Sequence, residues 1–158
     1  MLFCIINFGH IRMNIIIRKG TTEDFPAIFK LIQEFSVFQK TPEKVIITPE
    51  QMLENKDLFQ CFVVEHEDTS ILGFASFFMA YYSWSGKALY LDDLYVKKEF
   101  RSHQIGTQLL DKLIDYANLE HCTKVRWQVS NWNKEAIEFY KKMGAMVDDT
   151  EINCDLYL

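Results

Sequence analysis

The sequence predicts a mixed α/β layer fold, a central sheet of mixed direction with helices on both faces. Three observations predict it. Strand-like and helix-like segments follow one another in the order β-α-α-β-β-β-α-β-α-β. A hydrophobic fraction of 49% with a net charge of only -5 excludes a disordered chain. A length of 158 residues suits one domain with a sizeable core.

The elements follow in order. Asn14–Arg18 (NIIIR) is β-branched and reads as a strand. Thr21 and Thr22 are N-cap candidates, with Glu23 and Asp24 in the first turn. Ile28, Leu31, Ile32 and Phe35 then recur at helical spacing, so about Glu23–Gln39 is a helix. Thr48-Pro49-Glu50-Gln51 is a capping box with proline at the first helical position, and a short helix follows to about Asn55. Gln60–Glu65 and Ile71–Tyr82 read as a hairpin around the polar turn at Glu67–Ser70. A Gly/Ser loop carrying Trp84 leads to a strand over Ala88–Val96. Leu109, Leu110, Leu113, Ile114 and Ala117 mark one face of a helix from Gly106 to Glu120. Lys124–Val129 is a further strand. Asn133–Met143 is a helix closed by Gly144, and one or two strands fill Ala145–Leu158.

The charge balance limits what the chain binds. Seventeen basic residues against 22 acidic ones offer no bulk attraction to nucleic acid. Cys4, Cys61, Cys122 and Cys154 are scattered without metal-ligand spacing, so the reading is no metal, reduced thiols and a cytoplasmic protein. The apolar start MLFCIINF is too short to span a bilayer and lacks the basic region of a signal peptide. No membrane association is expected. Residues 1–12 are read as an N-terminal extension ahead of a domain over 13–158.

Two segments carry chemistry. In LYLDDLYVKKEFRSHQIGTQLLDKL a strand ends at Val96, a turn carries Arg101, and a helix starts near Gly106. Unpaired N–H groups and the dipole at such a helix start make an anion site suited to a pyrophosphate. Gly106 allows close approach, and Arg101 either adds charge or is a solvated turn residue. In NWNKEAIEFYKKMGA, Asn133 is placed to cap its helix. Tyr140, on the face of Ala136 and Phe139, either packs or donates a proton.

Together these segments resemble the GCN5-related N-acetyltransferase (GNAT) superfamily, from about Ile15 to the C-terminus. The similarity is greatest to its diamine acetyltransferases of the spermidine/spermine and thialysine types. It rests on YLDDLYV, RSHQIGTQLL and WNKEAIEFYKKMGA in order, with Trp84 as a further point of likeness. The resemblance implies a GNAT-like fold and acetyl transfer from acetyl-CoA to a primary amine of a small molecule, a diamine, polyamine or thialysine-like amino acid. It implies backbone contacts to the pantetheine from Leu94, Tyr95 and Val96, and a pyrophosphate cradle from Arg101, Ser102, His103, Gln104, Ile105, Gly106 and Thr107. Asn133 and Ala136 line the cofactor arm. Tyr140 is the acid that protonates the leaving thiolate, and Asp92 accepts the amine proton. Asp93 is expected on the opposite strand face. Phe38, Trp84 and Trp127 are read as an enclosed aromatic substrate pocket, with Asp92 at the amine. A homodimer through the last strand is implied, with Cys154, Leu156 and Leu158 on its apolar face.

Two departures qualify the resemblance. Gln104 replaces the first glycine usual in the pyrophosphate loop, and a negative φ is expected there. Gln39 and Tyr82 stand where polyamine-gripping members carry acids, which argues against a long polyamine. The alternatives are a non-catalytic acyl-CoA sensor and a protein-lysine or N-terminal acetyltransferase.

Overall fold

A computed structural model describes residues 4–8, 11–101, 103–150 and 153–156. The chain forms two compact units, Met1–Trp127 and Gln128–Leu158. The first holds a six-stranded sheet in sequence order: β1 (Cys4–Phe8), β2 (Ile11–Lys19), β3 (Gln60–His66), β4 (Ile71–Tyr82), β5 (Gly86–Val96) and β6 (Val125–Arg126). The first five pair antiparallel, and β6 lies parallel to β5. The strand expected over 14–18 starts at Ile11 and pairs with β1, so both strands draw on the stretch 1–12.

Helix α1 (Phe25–Phe38) and the short α2 (Pro49–Glu54) lie between β2 and β3, and α3 (Ile105–Leu119) lies between β5 and β6. Thr21 closes a capping box with Asp24 over a 3-10 turn that leads into α1. Asp24 is buried and takes two hydrogen bonds of 2.7 Å from the Arg18 guanidinium, which holds its carboxyl below the usual range. That pair ties the end of β2 to the start of α1. Thr48 and Gln51 make the expected reciprocal box at α2.

Strand alternation divides the core. Val63, Phe74 and Tyr95 are neighbours across β3, β4 and β5, and they share a cluster with Phe25, Ile28 and Leu31 of α1. On the other face the rings of Phe62, Phe77 and Tyr116 of α3 meet at 5.3–5.6 Å. Leu109, Leu110 and Leu113 of α3 are almost fully buried, as are Leu89 and Leu91 of β5.

The second unit holds α4 (Lys134–Lys142). Asn133 caps it by accepting from the Ala136 N–H at 3.2 Å, and Gly144 follows its end at φ +87°. The strands expected over Lys124–Val129 and Ala145–Leu158 fall short. β6 has two residues, and described residues 145–150 and 153–156 form no strand. Apolar alternation there lacks the backbone partner that makes a strand. Leu158 lies outside the described residues.

Candidate active site

The short β6 leaves an edge of β5 open. It pairs only at Leu89↔Val125 and Tyr90↔Arg126. From Leu91 to Val96 no described strand pairs with that edge. The Lys97 N–H donates to the Leu72 carbonyl of β4 at 2.9 Å. Backbone groups alternate along a strand, so those of Tyr95 also face β4, while those of Leu94 and Val96 face the open edge. The expected trio of backbone contacts thus narrows to Leu94 and Val96. The Tyr95 ring is buried in the α1 cluster, and its hydroxyl donates to Glu34 at 3.3 Å.

The acidic pair sits on an irregularity. Ser76 pairs with Asp93 and Phe77 with Leu91, so Asp92 is an extra residue, a β-bulge. The Asp93 N–H donates to Ser76 Oγ at 3.2 Å. Asp92 is exposed and Asp93 half-buried. Burial, then the Asp92 charge, pushes the Asp93 carboxyl up to about 7, and partial loss of solvent around its carboxyl raises Asp92 as well, although the residue as a whole is exposed. The bulge interrupts the regular alternation on which the expected opposite-face placement rests. The Asp92 charge acts on both Asp93 and Tyr90.

The turn into α3 departs from expectation in two ways. Gln104 has φ +58° and ψ 14°, the left-handed conformation rather than a negative φ, and its side chain makes no cap. A left-handed residue ahead of a helix turns successive N–H groups to one side, which is why glycine suits the position. Arg101 does not reach toward the α3 N-terminus. Its Nε donates to the Val96 carbonyl at 2.9 Å, and its guanidinium lies 4.7 Å from the Phe38 ring centre and 5.4 Å from that of Tyr95. His103 Nδ1 faces the carbonyls of Arg101 (2.9 Å) and Phe100 (3.2 Å), so it carries the proton. Ile105 is buried in the core. Gly106 and Thr107 present first-turn N–H groups ahead of the first helical bond, from Gln108 to Gln104. A Cβ at Gly106 would meet no protein atom within 4 Å. Ser102 lies outside the described residues.

The enclosed aromatic pocket is not formed as expected. Trp84 is 100% exposed at the tip of the β4–β5 hairpin. Phe38, at the end of α1, stacks on Phe35 and beneath Arg101, and Trp127 is half-buried. Such a loop tip offers an indole nothing to pack against. In the second unit Tyr140 is buried, which pushes its hydroxyl up to about 12. It therefore keeps its proton at neutral pH.

A family model described as the acetyltransferase (GNAT) family matches residues 25–145. The chain belongs to the GNAT acetyltransferase family. It is an acetyl-CoA-dependent N-acetyltransferase. The chain is 29% identical over 143 residues to thialysine N-epsilon-acetyltransferase of Sus scrofa, covering 84% of each chain. It is 27% identical to an L-ornithine N5-acetyltransferase of Arabidopsis thaliana, covering 88% of this chain and 82% of that one. The crystal structure of an aminoglycoside acetyltransferase from an uncultured soil metagenomic sample superposes with a TM-score of 0.76 at 20% identity, over 91% of this chain and 96% of that one.

The residues fit acetyl-CoA. Edge amides at Leu94 and Val96, uncapped N–H groups at the start of α3 and the open space before Gly106 are what a pantetheine and a pyrophosphate need. Among the described residues no three His, Cys, Asp or Glu side chains gather as metal ligands, and no helix is long and apolar enough to cross a membrane.

Proposed function

We propose that this enzyme acetylates the primary amine of a small molecule, a diamine, polyamine or thialysine-like amino acid. The observation that carries the reading is the acidic bulge at Asp92–Asp93, two residues from the Leu94 edge amide. A cationic amine is attracted to the carboxylates and must lose a proton before it attacks. Asp92, directly or through water, accepts that proton. The Leu94 N–H polarises the thioester carbonyl. Tyr140 gives its proton to the departing sulfur. Acetyl-CoA supplies the acetyl group, and Leu94, Val96, Gln104–Thr107, Asn133 and Ala136 hold it. The names of the thialysine and ornithine relatives support a small amine.

The same reading takes residues 13–158 as the catalytic domain, the protein as cytoplasmic, and the assembly as a two-fold homodimer, the commonest symmetry. Light scattering that shows a monomer at micromolar concentration removes the dimer.

The test is acetyl-CoA turnover against a panel of small amines and lysine peptides, with the Tyr140→Phe variant beside the wild type. Small amines should be acetylated and peptides not. Tyr140→Phe should bind acetyl-CoA unchanged and lose about two to four decades of turnover. Undiminished turnover in that variant removes Tyr140 from the mechanism.

A further inference from the structure

The sheet face that bears α1 continues past the bulge as a row of side chains from β4 and β5. Phe74 pairs with Tyr95 on that face, and Ser76 pairs with Asp93 one step along. Alternation from Tyr95 puts Asp93 on the same face. The next pair on it is Phe78 with Tyr90, whose rings stack 4.9 Å apart at 21°. Ser76 is buried, whereas Phe78 is 43% exposed. Two positions along a strand advance about 7 Å, which is the step from the Ser76–Asp93 pair to the stacked rings. Burial, and then the Asp92 charge, raises the Tyr90 hydroxyl, so this ring lies within the field of the acidic bulge. Further along the row, Lys124 Nζ lies 4.2 Å from the centre of the Tyr82 ring. Tyr82 thus already carries a cation, and the Phe78–Tyr90 stack presents the more open ring.

A single exposed ring is ordinary on a protein surface. This one stands one pair along from the acids that receive the amine. A molecule whose ammonium meets the carboxylates and whose own ring lies on Phe78 satisfies both groups. Its charge is paired, and two apolar ring surfaces leave water in the offset or edge-on contact that aromatic pairs prefer. We propose that the enzyme also acetylates arylalkylamines, primary amines joined to an aromatic ring by a short carbon chain, with the ring held on the Phe78–Tyr90 stack. The inference rests on the small-amine reading above and adds an acceptor class to it. The ammonium gives one proton to Asp92, and the free amine forms a C–N bond to the acetyl carbon as the C–S bond breaks. Tyr140 protonates the sulfur and regains a proton from the new amide nitrogen. The products are a neutral amide, the CoA thiol and one proton.

The test compares 2-phenylethylamine with 2-methoxyethylamine, an amine of similar basicity that lacks the ring, with putrescine and L-ornithine beside them. Phenylethylamine should exceed methoxyethylamine at least tenfold in kcat/KM. Phe78→Ser should bring that ratio to within threefold of one, mainly through KM for phenylethylamine, and Phe78→Tyr should keep it. Phe78→Leu retains an apolar side chain and stands in if the serine variant does not fold; it should lower the ratio at least threefold. Equal use of the two amines by the wild type overturns the proposal. So does a preference for the ring that survives loss of Phe78, or a rise in KM for acetyl-CoA alone, which assigns the stack to the cofactor. Transfer to putrescine or ornithine with none to phenylethylamine overturns the proposal and leaves the small-amine reading standing. Acetyl-CoA binding with no transfer to any of the four amines overturns the small-amine reading itself.

Discussion

The two faces of the β4–β5 ribbon are built from the same strands and differ in what they enclose. The face under α3 is apolar through its centre, with the Lys87–Glu120 ion pair at its rim. Leu89 and Leu91 of β5 and Leu109, Leu110 and Leu113 of α3 have almost no exposure. The face that bears α1 is divided. At the Phe74–Tyr95 end it closes over Phe25, Ile28 and Leu31. Around the bulge at Asp92 it carries Asp93, and beyond it the exposed Phe78 ring and two cations over Tyr82. One extra residue marks the boundary. The comparison teaches that the α3 face supplies cohesion and leaves the other free to hold charges that a sealed core could not accept.

Leu113→Ala should break the sealed face. Removing a fully buried leucine from the α3 layer should cost about 2–5 kcal/mol by denaturant titration. The kcat of the remaining folded protein should stay near wild type, because Leu113 touches no charge of the open end. A stability change below about 1 kcal/mol would contradict the division of labour drawn here.

A charge change sharpens the other side. The Asp93 carboxyl is held up near 7 in the folded protein against 3.8 for an unperturbed aspartate. Between those values the folded state keeps a proton that the unfolded chain releases. The stability due to this group is therefore whole below about pH 4 and is lost as pH rises to about 7. Asp93→Asn removes the loss. The variant should match the wild type near pH 4 and exceed it at pH 8, by about 1–3 kcal/mol once solvent screening is allowed for. Melting curves at the two pH values measure it, and a constant difference between them would refute the raised carboxyl.

The smallest effect belongs to the turn where β5 passes into α3. Gln104 occupies the left-handed region at φ +58°. There a non-glycine residue costs on the order of 1–2 kcal/mol, and glycine returns part of that gain as unfolded-state entropy. Gln104→Gly should therefore change acetyl-CoA affinity by less than tenfold, about 1.4 kcal/mol, in calorimetric titration. A hundredfold gain over a wild type that barely binds would mark a degenerate cofactor loop and favour a non-catalytic sensor.

Much of the fold was legible because local rules set it. The Thr48 and Gln51 side chains close their box through hydrogen bonds within one turn. Asn133 and Gly144 bound α4 for similarly local reasons. β4 ends where its apolar run and the Ser/Gly turn place it. The site was legible as motifs and not as geometry. RSHQIG marked the turn, yet Arg101 turns back onto Phe38 and Tyr95. A guanidinium near two ring faces and a strand carbonyl gains contacts that no spacing reveals. Trp84, promising as a pocket wall, is fully exposed.

The sequence by itself determined the order of helices and strands, the caps and the α1 and α3 core stripes. These depend on residues within a few positions of one another. The family could also be read from three short segments. Only the tertiary structure decided that Asp92 is a bulge, that Leu94 and Val96 rather than Tyr95 face the open edge, and that Lys124 and Arg126 share a floor with Tyr82. Each of these depends on the register between strands distant in sequence. A shift of one residue there exchanges the two faces of a strand.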